Sequence, residues 1–212
     1  MNTNLPARRI ENSVMRLALR ATEATLGQNG LYAMLRLAGL DHYIEQPPHN
    51  DNELTTPGTD LSALLAAILH MYGEQSARGI FRRWGWLFGQ GGVESRPTAK
   101  LLRPVLNLLP LNRRVPTLLE TFVREADQAR GEMLHTLSET DDAFVLVFND
   151  CLFCHSLRAL RVSEPICLTV VGTLEAVLKW GTGRDYTVSE TTCTACGVEA
   201  CTFVIDKRPL DV

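Results

Sequence analysis

All six cysteines of the chain lie between positions 151 and 201, in three short groups. The first is Cys151-Leu-Phe-Cys154-His155, and the second is Pro165-Ile-Cys167. The third is Glu190-Thr-Thr-Cys193-Thr-Ala-Cys196-Gly197-Val-Glu-Ala-Cys201. Zinc takes four ligands from Cys, His or carboxylate groups in a tetrahedron, so these groups point to a metal. The spacing leaves two ligand sets open. One is Cys167, Glu190, Cys193 and Cys201, with the last two carried by two antiparallel strands joined by a turn. Glu190 stands three residues before Cys193, so a regular strand would aim its side chain to the opposite face, and a bulge is needed to bring it back. Such a site is closed and structural. The other set joins Cys151 and Cys154 with Cys193 and Cys196, two Cys-x2-Cys pairs that equally suit an iron–sulfur cluster. Cysteines are also ordinary small core residues, and that is the plain reading of Cys196.

A second group of residues could wall a pocket. Trp84 and Phe88 are four apart and share a helix face. His70 and Tyr72 could offer hydrogen bonds to a phenol or a carbonyl. Phe144, Leu146 and Phe148 alternate on one face of an apolar run. Each of these also suits plain core packing. No Ser-His-Asp or Cys-His nucleophile arrangement is legible, and no Gly-x-Gly-x-x-Gly follows a strand. The residues therefore argue against direct catalysis.

The elements that must position these residues divide into two halves. Helical spacing runs from Ile10 to a stop near Gly27, then over Leu31–Ala38 to Gly39. Residues 45–58, with Pro47, Pro48 and Pro57, read as a loop. Leu61 to about Phe88 reads as a long helix kinked at Gly73 or Gly79, broken by Gly89–Gly92. Leu101–Leu109 and Val115–Leu137 follow as helices around a Pro110–Pro116 turn. The period then changes: Ala143–Phe148 reads as a buried strand and Leu157–Val162 as a second. Glu164–Trp180 returns to helix, and Tyr186–Thr194 with Cys201–Ile205 form a hairpin. The expected fold class is α+β, with N-terminal helices packed on a small antiparallel sheet, a crossing helix and a Cys-rich C-terminal hairpin.

The 212 residues suit a single domain over 10–206, with a flexible N-terminus at 1–9 and a tail at 207–212. A formal charge of -3 gives no electrostatic footprint for nucleic acid. No signal peptide and no transmembrane segment are legible, so the expected location is the cytoplasm, where clustered thiols mean metal or redox work.

The strings Pro165-Ile-Cys167, Gly172-Thr-Leu-Glu and Val188–Ile205, with its Glu-x2-Cys-x-Ala-x-Gly-x3-Cys-x-Phe pattern, resemble the 4-vinyl reductase domain family. Leu26-Gly27-Gln-Asn-Gly30 and Arg83-Trp84-Gly85 resemble its helical half. The resemblance implies a fold like that of vesicle-tethering subunits and of the sensor domains of aromatic-responsive activators. It implies zinc on Cys167, Glu190, Cys193 and Cys201, with Cys151, Cys154 and Cys196 as alternates and an iron–sulfur cluster as the alternative cofactor. It further implies a ligand-binding or sensory domain for a hydrophobic small molecule (a tetrapyrrole, an aromatic or an acyl chain), a homodimer, and a downstream protein partner. Two other functions accompany it: an accessory factor or reductase acting on the 8-vinyl group of a chlorophyll precursor, and an adaptor resembling tethering subunits.

Overall fold

Gly27 and Gly73 decide where the long helices bend. In the computed structural model, which describes residues 8–210, α1 (Asn12–Leu37) is interrupted at Gly27 (φ 75, ψ 168). Only glycine adopts this backbone at low cost. Gly39 (φ 71) ends the segment, as its place in the pattern predicts. The short α2 (His42–Glu45) follows. The proline-rich stretch is not all loop: β2 (Leu54–Pro57) pairs antiparallel with β1 (Arg9–Glu11), Ile10 opposite Thr56. The flexible N-terminus expected at 1–9 lies outside the described residues for positions 1–7.

The long helix α3 (Gly58–Ser95) bends at Gly73 (φ 71, ψ 164) and continues through Gly89–Gly92, where the sequence pattern reads a break. The reason is packing. A Cβ on Gly89 would stand 2.8 Å from the Thr173 carbonyl oxygen, and one on Gly91 would stand 2.5 Å from Leu17. These glycines make room for neighbours rather than ending a helix. Then come α4 (Pro97–Leu108) and α5 (Leu111–Gln128). The stretch read as a turn up to Pro116 is already helical, and α5 ends well before Leu137. His135–Glu139 is instead a strand, β3, paired with β4 (Ala143–Phe148), His135 opposite Phe148. The strand expected at Leu157–Val162 is replaced by a 3-10 turn at Ser156–Leu160. After it, α6 (Leu168–Thr182) is stopped by Gly183 (φ 74).

β5 (Tyr186–Thr192) and β6 (Cys201–Pro209) complete a four-stranded antiparallel sheet in the order β3-β4-β6-β5. The expected tail from 207 is thus strand as far as Pro209. Along β4, Phe144, Leu146 and Phe148 are buried while the residues between them are half-buried. Their partners on β6 are Ile205, Phe203 and Cys201. This period of two defines one inner face, and the helices cover it. The observed class is α+β. Among the described residues no helix is long and apolar enough to cross a membrane.

The tightest junction is between α3 and α6. A Cβ on Gly85 would stand 2.0 Å from the Thr169 carbonyl oxygen, and one on Gly172 would stand 2.1 Å from that of Arg82. Thr173 Oγ1 donates across the junction to Gly85 O at 3.1 Å. Arg82 Nε donates to Glu175 Oε2 at 3.0 Å on its rim. Gly172→Ala is therefore expected to destabilise the chain by about 3 kcal/mol, read as a fall of roughly 6–12 °C in Tm. Gly79→Ala, with nothing within 4 Å of the new Cβ, should instead gain about 0.5–1 kcal/mol from helix propensity. Equal melting temperatures for the two variants would contradict this account.

Candidate metal centre and ligand cavity

Five of the six cysteines converge at one end of α6. Cys167 caps α6, Cys201 opens β6, and Cys193 follows β5. Cys151 and Cys154 flank a 3-10 turn at Leu152–Cys154 that leaves the end of β4. All five are buried, and none forms a disulfide. The sulfurs of Cys151 and Cys167 are 3.6 Å apart, as are those of Cys154 and Cys193, and Cys201 Sγ lies 3.8 Å from Cys154 Sγ. Cys151, Cys154, Cys167 and Cys201 have all four sulfurs within 4.8 Å of one another. Glu190, Cys193 and Cys201 form a second group on the same criterion, sharing Cys201 with the first. Cys196 is exposed and belongs to neither.

Glu190 reaches this cluster as the spacing requires. The β5–β6 register steps between Glu190, opposite Phe203, and Thr192, opposite Thr202. That irregularity turns Cys193 to the face Glu190 already occupies. Glu190 Oε2 accepts a hydrogen bond from Cys167 N at 2.7 Å, while Oε1 is buried with no partner. Burial, then the negative charge of Cys193 and Cys201, pushes the Glu190 carboxyl up to about 10. An orphaned carboxylate oxygen among buried thiols is what a cation would satisfy. The donor set thus fits zinc, and the thiols alone also fit an iron–sulfur cluster.

A separate cavity of about 180 Å³ lies between the helices and the β3–β4 end of the sheet. Its walls are mainly apolar, from α1, α3, α5, α6 and the turn that follows β4. Of the seven residues singled out for a pocket, Phe88 and Phe148 line it. Trp84 is fully buried behind Phe88, with ring centroids 4.9 Å apart, and its Nε1 donates to Thr22 Oγ1 at 2.9 Å. Phe144 and Leu146 are buried on the inner sheet face but do not line the cavity. His70 and Tyr72 are exposed and also stand outside it.

Four residues that the sequence pattern does not single out matter here. Phe153 closes the cavity edge-on to Phe88 and Trp84. Arg96 lines it and binds both Glu11 and Glu125. His135 lines it from β3, and its Nδ1 lies 2.6 Å from Asp127 Oδ1. Asp127 also accepts from Leu134 N and His135 N, so Nδ1 carries the proton and Nε2 is left as an acceptor. Arg130-Gly131-Glu132 before the alternating His135–Glu139 is the available sequence signal for this strand.

Residues 145–207 match the model of the 4-vinyl reductase domain. That stretch runs from β4 to β6 and holds every cysteine. No curated protein matches the chain. Solved structures share its fold at low identity. An H-NOX protein from S. oneidensis in the Fe(II)NO ligation state is 10% identical, with TM-score 0.58, over 95% of this chain and 100% of that one. An unliganded Fe(II) H-NOX protein from K. algicida is 9% identical, with TM-score 0.60, over 96% and 98%. The phenol-responsive sensory domain of the transcription activator PoxR, solved with phenol, is 17% identical, with TM-score 0.52, over 82% and 90%. The domain match agrees with the resemblance carried by Glu190–Phe203.

Burial lowers the His135 pKa below its ordinary 6.5, against the opposing pull of Asp127. A group whose folded pKa is depressed contributes stability above its unfolded value, and that contribution is lost as pH falls through the folded one. Urea midpoints of the wild type should therefore drop as pH falls below about 6.5. His135→Gln should flatten the curve in that window, and identical slopes for the two proteins would contradict the assignment.

Proposed function

We propose that this chain is a ligand-binding sensory domain for a hydrophobic small molecule, with a structural zinc centre beside the ligand cavity. The observation that carries this reading is the apolar cavity of about 180 Å³, walled by helices and closed by Phe88, Phe148 and Phe153. A dry apolar cavity of about 150 Å³ takes up benzene. The volume therefore favours a single aromatic ring or a short acyl chain over a tetrapyrrole. The fold shared with the phenol-responsive domain of PoxR, solved with phenol, supports the same class. His135 Nε2 supplies one acceptor in an otherwise greasy wall, a usual arrangement for orienting a small ligand. Ethylbenzene and hexan-1-ol at a hundredfold excess over Kd should stabilise the protein by about 2.7 kcal/mol. Ala126→Phe, which fills the cavity, should abolish the shift in Tm. No stabilisation by any one-ring or short-chain compound would defeat the reading.

For the metal, the set implied by resemblance is Cys167, Glu190, Cys193 and Cys201. The orphaned Glu190 oxygen supports it. The mutual sulfur distances favour Cys151, Cys154, Cys167 and Cys201 instead, because only these four thiols form one group. On this reading the bound zinc pins α6, the end of β4 and the start of β6 together. Metal analysis by mass spectrometry should find about one zinc per chain, lost in Cys201→Ala and Cys151→Ser and retained in Cys196→Ser. Loss in Cys193→Ser with retention in Cys151→Ser would restore the first set. Brown protein containing iron would replace zinc by a cluster.

A further inference from the structure

The apolar cavity abuts a second cavity of about 270 Å³ whose lining is polar. The two share Val14, Leu17, Gly92, Arg96 and Glu125, so they meet at one boundary. Arg96 stands on it, with Nη2 donating to Glu11 Oε2 at 2.9 Å and Nη1 to Glu125 Oε2 at 2.5 Å. One guanidinium thus matches both carboxylates of this vestibule. The vestibule holds two further cations, Arg16 and Arg20, one turn apart on α1. Arg16 Nη1 donates to the neutral Pro48 carbonyl at 2.8 Å, and its Nε is buried with no partner. Arg20 is exposed. Among the described residues neither Arg16 nor Arg20 pairs with a carboxylate. The vestibule therefore carries three arginines against two glutamates, and its glutamates are already engaged.

We propose that the two cavities form one amphipathic site for an apolar carboxylic acid. Its ring or short chain fills the inner cavity, its carboxylate meets Arg16 and Arg20, and Arg96 marks the boundary. This rests on the ligand-binding reading above and adds the ligand's charge. A guanidinium recognises a carboxylate through paired N–H donors. The unpartnered Arg16 Nε is a donor that such an oxygen would satisfy. A cationic headgroup would find no free carboxylate here, and a neutral one would leave the excess charge unmatched.

The test uses 4-phenylbutanoate and its neutral counterpart 4-phenylbutan-1-ol, titrated calorimetrically into the wild type, Arg20→Gln, and the Arg16→Gln/Arg20→Gln double variant. In the wild type the acid should bind roughly tenfold tighter than the alcohol, with a preference that shrinks as salt rises. Arg20→Gln, an exposed change that leaves the fold intact, should cut the preference by about half on a logarithmic scale, and the double variant should erase it. Alcohol affinity should stay constant throughout. Equal affinity of acid and alcohol in the wild type overturns the proposal while leaving the ligand-binding reading in place. A preference that survives in both variants also overturns it. Binding of neither probe removes both readings.

Discussion

The close crossing of α3 over α6 sets the position of both sites. Where Gly85 and Gly172 meet the opposite helix, no side chain separates the two backbones. Interiors packed at this density do not yield by small increments. Fixing α6 against α3 fixes its first residue, and Cys167 with it, against Cys151 and Cys201. The same contact lays Phe88 and Gly89 beside Val170 and Thr173, which are cavity walls on the two helices. One helix pair therefore organises a thiol cluster at its end and an apolar hollow along its side.

The two sites handle buried polarity in opposite ways. Around the hollow, polar groups satisfy each other: His135 is held by Asp127, Arg96 by Glu11 and Glu125, and Trp84 by Thr22. In the thiol cluster they do not. Five buried sulfurs crowd together and Glu190 Oε1 has no partner. Buried groups with one sign of charge keep their protons unless a cation is supplied. The second site is chemically incomplete as a set of side chains, and the first is complete.

Local pattern makes much of this readable. The buried strand at Ala143–Phe148, the C-terminal hairpin, α6 and the stops at Gly27 and Gly39 follow from short-range periodicity and glycine chemistry. The bend at Gly73 is of the same kind. The elements that local pattern misses depend on partners distant in sequence. β1 and β2 exist because they pair with each other. Gly89–Gly92 stays helical because α1 and α6 fill the space beside it. His135–Glu139 reads as the end of a helical run, since its pairing with β4 is what makes it a strand. Of the candidate site residues, the cysteines are legible by spacing alone, yet spacing cannot say which of them share a centre. Trp84 and Phe88 are legible as a pair on one face, whereas the exposed side of α3 that carries His70 and Tyr72 is not.

The turn after β4 belongs to both sites. Cys151 and Cys154 face the thiol cluster, while Leu152 and Phe153 between them line the hollow. Four consecutive residues thus present two chemistries to two compartments through one short 3-10 segment. A displacement of the Phe153 ring by an occupant is carried, over one peptide bond, to the sulfur of Cys154. Binding equilibria joined in this way are reciprocal: whatever free energy one compartment exerts on the other is returned in equal measure. The segment gives the fold a built-in transmission between its greasy and its thiol-rich ends.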